Sequence, residues 1–79
     1  MPRYYFEIDD NGVMTPDEEG IECETLASVR DAAIDALPRM ASDVLPDGDH
    51  HIITILVRDQ AGRSIFKASL TLEAGWQQG

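Results

Sequence analysis

Five residues near the start of the chain follow the order of a helix-loop-helix calcium site. In the order of loop positions 1, 3, 5, 6 and 12 they are Glu7, Asp9, Asn11, Gly12 and Glu18. Such a loop needs a helix on each side, whereas residues 3–9 have the pattern of a strand and Pro16 opposes a helix on the exit. We therefore interpret the segment as an acidic hairpin and expect no metal site.

Three further residues could serve as nucleophile or base, namely Cys23, His50 and His51. Cys23 precedes a predicted helix, but Glu22 and Glu24 flank it and oppose a lowered thiol pKa. Neighbouring residues of a strand face opposite sides, so the two histidines cannot share one site. We interpret Cys23 as half-buried and both histidines as surface residues. We expect no enzyme, no catalytic residues and no cofactor.

The charge distribution limits the partners of the chain. The formal net charge is -9, and eight of the fifteen acidic residues lie between Glu7 and Glu24, with no lysine or arginine among them. An acidic surface repels nucleic-acid phosphates and anionic membranes, so neither is expected as a partner. A basic protein stays possible, with an acidic interaction loop as its binding site. The residues of that loop are Asp9, Asp10, Asp17, Glu18 and Glu19.

The elements that would position these residues begin with a hairpin. Residues 3–9 alternate apolar and polar side chains, which predicts a half-buried strand. Asn11 and Gly12 tolerate positive φ and predict a tight turn. A short second strand over residues 13–15 should end at Pro16, and residues 17–24 form a loop with an extended piece at 21–23.

From Leu26 the apolar residues recur at helical spacing, which predicts an amphipathic helix with Thr25 as its N-terminal cap. Its apolar stripe is Leu26, Val29, Ala33, Leu37, Met40 and Val44. Pro38 removes one backbone hydrogen bond, so we expect a kinked helix that ends near Leu45 and is terminated by residues 46–48.

Residues 51–58 and 64–72 predict a second hairpin joined by a four-residue turn that pairs Arg58 with Arg63. One helix covers one face of a sheet, yet apolar residues also fall on the other face. They are Ile52, Leu56 and Ile65. We expect this surface, or a strand edge, to bind a partner or a second copy.

Together the elements predict an α+β fold, a two-layer ββαββ domain over residues 1–74 with an antiparallel sheet and the helix on one face. Residues 75–79 would form a flexible tail, in which Trp76 packs either on the domain or on a neighbour. The single cysteine and the lack of a signal or membrane segment favour the cytoplasm.

Three segments carry a family resemblance: MPRYYF at residues 1–6, DEEG at 17–20 and VRDQAGRSIFKASLTLE at 57–73. Over residues 1–73 the chain resembles a family of small uncharacterised bacterial proteins, common in rhizobia and related alphaproteobacteria, that open M-P-R-Y-F-F. The resemblance implies a single cytoplasmic domain and no known activity.

Residues 4–41 are also similar to the start of HicB-type antitoxins, through YYFEIDDNG, Pro16, Gly20 and TLASVRDAAIDAL. This likeness implies an acidic inhibitor of a basic toxin, although DEE replaces the usual D-L-P before Gly20. Our main hypothesis is a non-enzymatic interaction module that self-associates, most simply as a dimer. The antitoxin-like inhibitor is the alternative.

Overall fold

The computed structural model describes residues 2–44 and 48–78. These residues form one helix and a five-stranded antiparallel sheet, which confirms the α+β class. The elements in chain order are β1 (Arg3–Asp10), β2 (Val13–Thr15), β3 (Ile21–Glu22), α1 (Leu26–Val44), β4 (His50–Arg58) and β5 (Ser64–Glu73). The order is therefore βββαββ, because the extended piece predicted before the helix pairs as a strand.

The sheet has the strand order β2-β1-β4-β5, and β3 also pairs with β1. Strand β2 lies beside residues 8–10 of β1, while β3 lies beside Arg3 and Tyr4. Both short strands thus occupy the same edge of β1, because β4 takes the other edge. At the opposite end of the sheet, β5 pairs with β4 alone among the described strands.

The first hairpin follows its turn signal. Asn11 and Gly12 have φ of 52° and 98°, and Asp10 pairs with Val13 across the turn. Two successive residues with positive φ give the turn a twist that matches the strands. The predicted second strand at residues 13–15 is confirmed.

Helix α1 begins with the predicted cap, since the Ser28 amide donates to Thr25 Oγ1 at 3.0 Å. Pro38 lies inside the helix, on its exposed side, and the helix continues to Val44. A kink at Pro38 stays a prediction, and the predicted end at residues 45–47 lies outside the described part of the chain. Among the described residues, no helix is long and apolar enough to cross a membrane.

The core lies between α1 and one face of the sheet. Its buried residues are Cys23, Val29, Ala33, Leu37, Ile53, Ile55 and Val57, and Tyr4, Phe6 and Phe66 pack against them. Leu26, which we expected in the buried stripe, is 66% exposed. As the first helical residue it lies at the end of the layer, where the sheet does not cover it.

The second hairpin differs from the predicted register by two residues. Val57 pairs with Phe66, and Arg58 pairs with Ser64 across a β-bulge that leaves Ile65 without a Cα partner. The loop is longer than predicted because Asp59 Oδ1 accepts the amides of Ala61 and Arg63. A shift by two residues keeps Phe66, Ala68 and Leu70 on their predicted face, so that apolar set was right although the pairing was wrong. Ile65 leaves its predicted face because of the bulge.

Candidate interaction surface

The carboxylates of the acidic hairpin serve separate local structures. Glu7 pairs with Arg58 across the sheet, with its Oε1 2.9 Å from Arg58 Nε. Asp9 Oδ1 accepts the Gly12 amide at 2.8 Å and closes the turn. Glu18 lies exposed on the loop after Pro16. In residues 2–44 and 48–78, no group of three acidic, histidine or cysteine residues could hold a metal ion.

Asp17 closes the gap between the two short strands on the edge of β1. Its Oδ2 accepts the Phe6 amide at 3.0 Å, where a neighbouring strand would otherwise place a carbonyl. Its Oδ1 accepts the amides of Glu19 and Gly20 at 3.1 and 3.0 Å. The hydrogen bond from the Gly20 amide, followed by the others, holds the pKa of Asp17 below its usual range.

Gly20 completes this closed edge. It has φ of 73°, and a Cβ there would lie 2.7 Å from Arg3 Cγ and 3.0 Å from the Tyr4 carbonyl oxygen. The loop backbone therefore passes against β1 at a distance that only glycine permits. The Arg3 guanidinium adds a bond to the Glu19 carbonyl at 2.7 Å. The DEEG segment is thus a structural clamp on β1.

The predicted acidic loop does not present five free carboxylates. Asp9 caps its turn, Asp17 holds the clamp, and Asp10 contacts the ring of His51 through Oδ1. Glu18 and Glu19 are exposed on the loop at residues 16–20. Of the five, these two are left facing solvent with no side-chain ion pair in the described residues.

The three candidate nucleophile and base residues do not meet. Cys23 is buried at the end of β1 where its amide donates to the Pro2 carbonyl. His51 contacts Asp10 at the far end of that strand, about eight residues or ~26 Å away at 3.3 Å per residue. His51 is buried, so our placement of it on the surface was wrong. The cause is its position on the helix-facing side of β4, while His50 is exposed.

The outer edge of β5 is the longest unpaired feature of the sheet in the described residues. The strand has ten residues. The Ala74 amide donates to the Asp49 carbonyl at 2.7 Å, so the even-numbered residues of β5 bond to β4. Their odd-numbered neighbours turn amide and carbonyl groups toward the free edge. These are Lys67, Ser69, Thr71 and Glu73.

An apolar groove of about 400 Å³ lies between the N-terminal end of β5 and the start of α1. Its lining residues are Leu26, Ala27, Val29, Arg30, Ile65 and Phe66. Leu26 and Ile65 are 66% and 38% exposed at its rim. Further along the same side lie Ile34, one helical turn after Arg30, and Leu70, at 41% and 39% exposure. Apolar side chains therefore flank the free edge from Ile65 to Leu70.

The three residues of the predicted apolar surface do not form one patch. Ile52 and Leu56 lie on the face away from α1, two steps from each other on one side of the pleat. Ile65 lies at the bulge and lines the groove with Leu26 instead. The sequence did not predict this groove, because it depends on the bulge at Ile65, and the alternation of apolar and polar residues does not reveal a bulge.

The described residues form a small two-layer α+β domain whose sheet is covered along the β1 edge and left open along the β5 edge. The chain belongs to the family of the domain of unknown function DUF6894, which matches residues 3–71. This confirms the resemblance to a small uncharacterised domain family. No curated protein and no solved structure matches the chain.

Proposed function

We propose that this protein is a non-enzymatic interaction domain that pairs with a second copy of itself through the outer edge of β5. The observation that carries the proposal is the ten-residue edge strand, whose outward amides and carbonyls have no strand partner in the described residues. Natural proteins usually blunt such an edge or cover it. Pairing with a second copy would cover it completely.

The sequence of β5 is complementary to itself in one antiparallel register. With Leu70 opposite Leu70 of a second copy, Lys67 lies opposite Glu73 of that copy, and the same pair forms again by symmetry. The register joins odd-numbered residues to odd-numbered residues, so each outward amide and carbonyl meets a partner. About eight backbone hydrogen bonds would form.

Neither charged side chain of that pair has an ionic partner within the described part of the chain. In the described residues Lys67 and Glu73 form no ion pair, and their Cα partners on β4 are Leu56 and His50. Two other cations near this edge have partners of their own, since Arg63 pairs with Asp59 at 3.2 Å and Arg30 with Asp31 at 3.5 Å. Lys67 and Glu73 therefore favour this register over its neighbours by charge.

Antiparallel pairing in the plane of the sheet has a second consequence. The two-fold axis runs through the sheet, so both helices lie on the same face and flank the new strand pair. The half-exposed side chains of Leu70 and Ile34 then face their counterparts. Their burial adds a hydrophobic term of ~25 cal/mol per Å² to the hydrogen bonds.

The net charge of -9 opposes association, but its placement limits the effect. Eight of the fifteen acids lie between Glu7 and Glu24, on or beside the β1 edge. Two strand spacings, about 10 Å, separate β1 from β5, and the loop beyond β1 lies about one spacing further away. Both distances exceed the Debye length of ~8 Å at 0.15 M salt. The free edge itself carries Lys67.

Charge reversal tests this proposal. Sedimentation at 0.15 M NaCl should show a dimer for the natural chain, weakening in Lys67→Glu and in Glu73→Lys because like charges then face each other. The double variant K67E/E73K should recover the dimer. A natural chain that stays monomeric at high concentration would contradict the proposal, and so would a double variant no better than the singles.

A second candidate is an acidic module for a basic protein, as in antitoxin-like inhibition. Its support is the loop at residues 16–20, which Asp17 holds in place and which presents Glu18 and Glu19 to solvent. An oligo-lysine peptide should bind at low salt and lose affinity in E18Q/E19Q. Equal binding by that variant would remove this candidate.

A further inference from the structure

Trp76 is the single tryptophan of the chain and is fully exposed. It lies two residues beyond Ala74, whose amide still bonds to the residue before β4. An indole offers a large apolar surface, and such side chains are enriched where proteins bind one another. Within the described residues, no part of the domain covers it.

The length of the molecule indicates that the segment after β5 stays extended. The Cα atoms span 54 Å along the longest axis, about the length of a chain extended over the residues from Gly62 to Gln78 at ~3.3 Å each. Trp76 is therefore carried past the end of its own sheet. It cannot reach its own groove at the start of α1, which lies beside Ile65 at the other end of β5.

Pairing with a second copy would bring Trp76 of one chain close to the groove of the other. In the register that places Leu70 opposite Leu70, Ala74 of one copy lies opposite Phe66 of the other. Phe66 faces α1 in the core, and strand partners share a face, so Ala74 lies on the helix side of the other copy. A chain that stays extended for two more residues places Trp76 on that side as well, beside the bulge at Ile65.

We propose that Trp76 of each copy docks into the apolar groove of the other, between the start of α1 and the bulge at Ile65. The groove has a volume of about 400 Å³, room for an indole, and Leu26 and Ile65 form its exposed rim. Arg30 also lines it, and its guanidinium can lie on the indole face in a cation–π contact. This inference rests on the proposed pairing of β5.

Tryptophan fluorescence measured alongside sedimentation tests the docking. Diluted monomer should show the emission of an indole in water, and the spectrum should move to shorter wavelength over the same concentrations at which the dimer forms. Trp76→Ala should weaken the dimer roughly 30-fold, as expected for the loss of a buried aromatic anchor. A dimer with unchanged emission would overturn the docking and leave the pairing of β5 intact.

A matched pair of variants locates the contact. Leu26 and Val13 are 66% and 68% exposed, but Leu26 lies at the groove and Val13 on β2 at the other edge. Leu26→Gln should reduce the wavelength shift and weaken the dimer, whereas Val13→Gln should change neither. Equal effects of the two variants would overturn the docking. A chain that never dimerises would overturn both the docking and the pairing.

Discussion

The two edges of this sheet differ in whether their outward backbone amides and carbonyls are covered. The β1 edge is covered by two strands of three and two residues, and the carboxylate of Asp17 fills the gap between them. The β5 edge is ten residues long and is left open by the described chain. The acidic loop thus closes one edge of the sheet, so in the proposed assembly strand pairing would occur at the other edge.

The largest effect should come from breaking the closed edge at Gly20. Gly20→Ala should lower the free energy of unfolding by about 3 kcal/mol, since positive φ and contacts with Arg3 and Tyr4 both oppose a side chain. Gly62→Ala is the matched control, with φ of 85° and nothing within 4 Å of the added Cβ. It should cost ~1 kcal/mol. Urea denaturation measures both, and equal losses would show that no close packing exists at Gly20.

The next effect concerns the open edge. Thr71 turns its amide away from β4, so Thr71→Pro removes a donor that only a second copy would use. We expect the dimer dissociation constant to rise about 100-fold, or ~2.8 kcal/mol, with the monomer destabilised by less than ~1 kcal/mol. Sedimentation and urea denaturation report the two quantities separately. A variant that dimerises normally would place the contact elsewhere.

Asp17→Asn tests the closed edge through the pH dependence of stability. The asparagine has one acceptor oxygen, so the amide of Phe6 or those of Glu19 and Gly20 lose their acceptor, at roughly 2 kcal/mol. Because the folded pKa of Asp17 is lowered, its contribution is present above the unfolded value of about 3.9 and is lost as the pH falls through the folded pKa. The natural chain and the variant should therefore converge in stability toward pH 2. A constant difference from pH 7 to pH 2 would contradict this role.

The smallest effect should come from removing the ion pair that joins β1 to the interior strand β4. Glu7 and Arg58 join β1 to β4 on the face away from α1, and both are partly exposed. Glu7→Gln should cost ~0.5 to 1 kcal/mol of stability and leave dimerisation unchanged. Salt titration provides the check, because the difference from the natural chain should shrink at 1 M NaCl.

Local signals predicted much of the fold. The alternation of β1, the turn at Asn11 and Gly12, the Thr25 cap and the helical stripe each depend on neighbours a few residues apart. Such patterns are readable from the sequence alone. The apolar face of the second hairpin was also predicted, because a register error of two residues does not change it.

What the sequence did not reveal depends on contacts between distant residues. The extended piece predicted at residues 21–23 contains strand β3, but its pairing with Arg3 and Tyr4 of β1 was not predicted, because it joins residues far apart in the sequence. His51 is buried because it lies on the helix-facing side of β4, where it contacts Asp10 of β1. Asp17 acquires its role only because Phe6 leaves an amide unpaired. The groove at Ile65 required the bulge. The sequence therefore predicted that the sheet carries the interaction surface, but it placed Ile65 with Ile52 and Leu56 instead of in the groove.

In the proposed assembly, the clamp at Asp17 would also set how many copies can join. A sheet that adds strands at one side only is used up once two copies have joined, so the assembly is finite and closed. With both edges available, each added copy would offer a new template, and the same β5 pairing would propagate into fibres. Asp17 and Gly20 would then act as terminators of polymerisation, and their loss would lower solubility as well as stability.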